Sequence, residues 1–123
     1  MNCKIDTRET FDIITPINTI LDHKLADELS KLIESSREND KSVILNFENI
    51  VTLTIENIDM LNLAHESMYT DNVSFVLCEI KGDFKNKIHE NELDEILNIT
   101  PTLIEAIDIV SMEDLERELL GGE

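Results

Sequence analysis

The chain has 123 residues, a length that suits one domain with one core. Hydrophobic residues make up 41% of it and aromatics only 4%, so the core must be aliphatic; with three glycines and two prolines, neither disordered linkers nor a turn-dense β-sandwich fits. A formal net charge of −17 repels phosphate backbones and anionic lipid heads, which argues against nucleic acid and membrane partners; it either suits a basic protein surface or merely keeps a small protein in solution.

Residues 4–7 and 11–15 read as two short strands around the polar turn Arg8-Glu9-Thr10. Leu25, Ala26, Leu29, Leu32 and Ile33 then recur at helical spacing, with Asp22 placed to cap the first helix and polar residues 37–41 ending it. Residues 42–47 form a nearly continuous apolar run, as expected of a central strand covered on both faces. A second helix is expected over residues 55–69, capped by Thr54, with Ile55, Ile58, Leu61 and Met68 on one side. Another buried strand spans 73–78, a helix follows at 84–90, and a short strand at 96–99. Thr102 and Glu105 form a capping box that opens a helix with Leu103, Ala106, Ile107 and Val110 inward. Ser111 and Asp114 resemble a second box, opening a short terminal helix with a stripe of Met112, Leu115 and Leu119, stopped by Gly121 and Gly122. Two strands followed by alternating helix and strand imply an α/β domain with a mainly parallel sheet.

Signals for chemistry are few. The glycines build no phosphate loop, and His23, His65 and His89 show no metal-ligand spacing, so no catalytic residue, cofactor or metal is expected. His65 falls one heptad after Ile58, at the edge of the core. Cys3 and Cys78 suggest neither a disulfide framework nor a zinc site; Cys78 ends an apolar run and reads as a buried thiol. Charged Asp6, Arg8, Glu9 and Asp12 do not fit a signal peptide, and no run approaches a membrane span, so a cytoplasmic location is expected.

Four stretches carry a family pattern. Thr19-Ile20-Leu21-Asp22, leading to Leu25-Ala26-Asp27-Glu28-Leu29, resembles a Gly-x-Leu-Asp approach to a first helix, with Thr19 in place of glycine. Residues 43–50 resemble a central strand and the loop after it, with Asn46 where Asp is usual. Residues 93–99 resemble the approach to a last strand, and Thr102 with Glu105-Ala106-Ile107 the start of a final helix. Together, from Phe11 to Val110, they resemble the STAS domain, the fold of bacterial anti-sigma factor antagonists. The resemblance implies a STAS-like domain over residues 1–110, with a mixed, mainly parallel sheet and about four helices, and a C-terminal helical extension over residues 111–123.

In antagonists of this family the loop before the second helix carries Asp-Ser-Ser-Gly, and its first serine is phosphorylated by a kinase that is also the anti-sigma factor. Here Thr54-Ile55-Glu56-Asn57 takes that place, so Ile55 replaces the acceptor and no phosphorylation site is expected. Glu56 either imitates the phosphorylated state permanently or is an ordinary first-turn acid. Ile55 either offers an apolar contact or folds back onto the core. The resemblance implies a non-catalytic regulator that binds an anti-sigma factor or a serine-kinase-like protein through Asp22, Thr54, Ile55, Glu56, Asn57 and Ile58. The alternative is a structural or scaffold subunit that acts through a homodimer or a larger complex, for which the terminal stripe is the candidate surface.

Overall fold

Three strands of this chain are buried along nearly their whole length: β2 (Phe11–Pro16), β4 (Ser42–Asn46) and β6 (Phe75–Cys78). Aliphatic and β-branched runs of this kind belong to a sheet covered on both faces. The computed structural model describes residues 2–54 and 58–121. The remaining elements are β1 (Cys3–Thr7), β3 (Ile20–Leu21), α1 (His23–Glu38), β5 (Thr52–Leu53), α2 (Asp59–Thr70), α3 (Gly82–Glu90), a 3-10 turn at Leu93–Glu95, β7 (Asn98–Thr100) and α4 (Leu103–Gly121).

The main sheet has five strands in the order β1-β2-β4-β6-β7. β1 runs antiparallel to β2, with Cys3 opposite Pro16, and every other pairing in that sheet is parallel. The sheet is therefore mixed and mainly parallel, as expected. Alternation along the strands sorts the core into two layers. Ile14, Val43, Leu45, Phe75 and Leu77 face α1, α2 and α3, whereas Phe11, Ile13, Ile44, Val76 and Cys78 face α4 through Ala106 and Val110. The Phe47 and Phe84 rings meet edge to face at 4.8 Å within the first layer.

Several boundaries differ from the sequence reading. The second helix starts at Asp59, and its N-cap position is held by Ile58, whose side chain makes no cap bond. Thr54 therefore does not cap it. Its N–H donates instead to the Leu21 carbonyl at 3.0 Å, continuing the parallel pairing of β5 with β3 and keeping the backbone extended. The last strand begins at Asn98, because the Ile96 and Leu97 N–H groups both close the 3-10 turn on the Leu93 carbonyl.

The terminal region is one helix of 19 residues. Its start shows one half of the expected box: the Thr102 hydroxyl accepts from the Glu105 N–H at 3.3 Å, while the Glu105 carboxylate accepts from that same hydroxyl at 2.8 Å. Ser111 and Asp114 cap nothing, since they lie inside the continuous helix. The Asp114 carboxylate accepts from the Ser42 hydroxyl at 3.1 Å and from Arg117 at 2.7 Å. The expected division at residue 110 thus falls within α4.

Candidate functional site

The carboxyl ends of the parallel strands deliver three loops to one edge of the sheet. After β2, residues 17–19 lead into β3; after β4, residues 47–51 lead into β5; after β6, residues 79–81 lead into α3. Backbone bonds tie the first two together. The Thr19 carbonyl accepts from the Val51 N–H at 2.7 Å and from the Thr52 N–H at 3.3 Å, and Asn49 donates its side-chain amide to the Pro16 carbonyl at 3.1 Å.

This pairing brings Asp22 and Thr54 onto neighbouring chains, one residue past the Leu21–Leu53 register pair. Asp22 caps α1 as expected, its carboxylate accepting from the Leu25 N–H at 2.8 Å. Thr54 is exposed. Ile58 is 1% exposed and belongs to the core. Ile55, Glu56 and Asn57 lie outside the described residues.

Sequence reasoning missed an apolar lip on the chain segments that lead to Asp22 and Thr54. Ile20 is 42% exposed, Val51 65% and Ile17 also open to solvent, while their neighbours Leu21 and Ile50 are buried. The only signal was alternation. In two-residue strands an outward and an inward apolar residue sit side by side, and the composition is that of core. Polar groups close the other side of the edge: Asn46, buried at the end of β4, donates to the Glu48 carboxylate and accepts from the Glu48 N–H. Glu79 sits in the left-handed region at φ 59°, and its carboxylate accepts from the Leu103 N–H at 2.9 Å, at the start of α4.

The electrostatics of the two thiols are those of buried core groups. Burial, then the neighbouring Glu79 and Glu48 carboxylates, push the Cys78 thiol up to about 12, and burial with Glu28 does the same to Cys3. Both are inert, core-type thiols. Among the described residues no three His, Cys, Asp or Glu side chains gather as a metal would require. Nor, among those residues, is any helix long and apolar enough to cross a membrane. The edge exposes apolar Ile17, Ile20 and Val51 to solvent.

No family model and no curated protein matches the sequence. Solved structures do. The chain is similar to an anti-sigma-factor antagonist (STAS) domain protein from Planctomyces limnophilus, with 13% identity over 89% of this chain and 97% of that one and a TM-score of 0.74. It is similar to an anti-sigma factor antagonist from Mycobacterium paratuberculosis at 16% identity, over 89% and 92% of the two chains, with a TM-score of 0.75. The Bacillus cell fate determinant SpoIIAA in its phosphorylated form superposes with a TM-score of 0.65, at 15% identity over 88% of this chain and 98% of that one. Likeness at such identities is likeness of fold, and on that ground this protein has the STAS fold, the fold of the anti-sigma factor antagonists.

Proposed function

We propose that this protein is a non-catalytic regulator that binds an anti-sigma factor or serine-kinase-like protein in a partner-switching network. The contact is the loop edge around Thr54, and the usual phosphoacceptor is absent because Ile55 stands in its place. One observation carries the reading. The β3–β5 pairing fastens Thr54 beside the Asp22 cap, on chain segments that also carry exposed Ile17, Ile20 and Val51. An apolar centre in a strongly acidic molecule suits a partner pocket ringed by Lys or Arg. Without an acceptor hydroxyl at residue 55, binding is either constitutive or set by another input.

The test uses a kinase-like anti-sigma protein from the same genome as the immobilised partner. Ile20→Asp and Val51→Asp place charge in the contact at positions already open to water, so both variants should keep the parent circular dichroism. Each is expected to weaken binding at least about tenfold, or about 1.4 kcal/mol. Ile55→Asp should do likewise. Two folded lip variants that bind as tightly as the parent would move the interface elsewhere.

A further inference from the structure

We propose that the distal half of α4 is a second docking surface, for a lysine- or arginine-flanked amphipathic helix of a partner protein. A helix lying on a core turns its apolar side inward. Beyond Val110, α4 does the reverse. Its inward side chains are Glu113, Asp114 and Arg117, and its outward ones include Met112 at 64% exposure, Leu115 at 54% and Leu119 at 74%. These three recur at helical spacing and make one continuous stripe.

The inversion is built in and is not a fraying tail. The Glu113 carboxylate accepts from the Tyr69 hydroxyl at 2.8 Å and from the Ser74 hydroxyl, which in turn accepts from Arg117 at 2.6 Å. Asn98 donates to the Tyr69 oxygen at 2.6 Å, and Asp114 is tied to Ser42. Residues of β4, β7, α2 and the approach to β6 thus hold the helix by its polar side. Held that way, the apolar side can face only outward. The surface is preformed, which lowers the ordering cost of binding.

Charge selects the occupant. Exposed Glu116 and Glu118 flank the stripe, Asp108 lies one turn before it, and α4 contains no lysine. Its single basic residue, Arg117, is bonded to Asp114 and Ser74. A second copy would set acid against acid along this seam, and an anionic lipid surface would be repelled in the same way. A helix with an apolar stripe between basic flanks complements both features. The surface lies at the amino-terminal ends of β4 and β6, across the sheet from the Thr54 loop, so both sites can be filled together.

The probe is a synthetic leucine–lysine amphipathic peptide of about 18 residues, long enough to hold a helix once bound. It is titrated into the full chain by calorimetry, with a leucine–glutamate peptide alongside. The lysine peptide should bind and the glutamate peptide should not. Leu115→Ser combined with Leu119→Ser leaves every charge in place and removes the stripe; it should weaken lysine-peptide binding at least about tenfold with unchanged circular dichroism. No binding by the lysine peptide overturns the proposal. Equal affinity in parent and variant overturns it too, since the attraction would then be bulk charge. So does a parent dimer in sedimentation that the double substitution dissociates, which would make the occupant a second copy.

Discussion

His65 and His89 lie in opposite surroundings and should titrate on opposite sides of the ordinary imidazole value. His89 is exposed and its Nδ1 lies 2.8 Å from the Asp94 carboxylate, whose hydrogen bond and charge raise its pKa and lower that of Asp94. His65, half-buried with its ring 4.7 Å from that of Tyr69, is lowered by burial, against the pull of Glu66 and Glu113. A raised histidine contributes stability that is complete below about 6.5 and lost as pH rises through its folded value; a lowered one contributes stability above about 6.5, lost as pH falls through its folded value. NMR titration should place His89 above the ordinary value and His65 below it. Asp94→Asn should move His89 back toward that value, with Glu90 and Glu95 still raising it, and leave His65 unmoved. At this scale the sequence was informative only where partners are close along the chain. Asp22 was legible because a cap needs only the residue three further on. The exposure of Ile20 and Val51 was not, because it depends on which side of a pairing across some thirty residues each faces.

Elements show the same division. The Thr102–Glu105 box was visible because both partners lie within one turn. The similar Ser111–Asp114 pattern misled because nothing local says that a helix is already under way. Thr54 pairs with Leu21 across more than thirty residues, a tertiary bond that no local pattern announces. In α4, the inward acids predict where its attachment resides. Glu113→Ala leaves the Tyr69 and Ser74 hydroxyls without their charged acceptor and should cost about 2 kcal/mol. For a domain of this size that corresponds to a fall in Tm of roughly 8 °C by calorimetry. Leu115→Ser, made on the solvent side, should leave Tm within about 1 °C. Equal effects from the two would mean that the helix is not held by its polar side.

For the molecule as a whole, 27 acidic residues against 10 basic ones give the compact state a self-repulsion that no local pairing removes. The Debye length shrinks from about 30 Å at 0.01 M salt to about 3 Å at 1 M, so added salt screens the repulsion between distant carboxylates more than it weakens short contacts. Tm should therefore rise by several degrees between low salt and about 0.5 M sodium chloride; a fall would mean that pairs such as Arg8–Asp6 and Arg117–Asp114 outweigh the repulsion. The fold class was legible at this scale, since buried strand runs alternating with amphipathic helices leave few topologies open. Of the two proposed partner surfaces, the stripe on α4 was legible from its helical spacing, whereas the outward turn of Ile20 and Val51 was not.

The two edge strands of the main sheet have a consequence for how the molecule survives at high concentration. One edge is β1, where exposed Lys4 and the Arg8–Asp6 ion pair at 2.9 Å put charge along the open backbone. The other is β7, only three residues long. An incoming strand meets charge on one side and too short a ladder on the other, so neither border seeds a growing fibril. Association through the borders of the main sheet is thereby disfavoured, which leaves loops and helix faces, where side chains decide which partner is admitted.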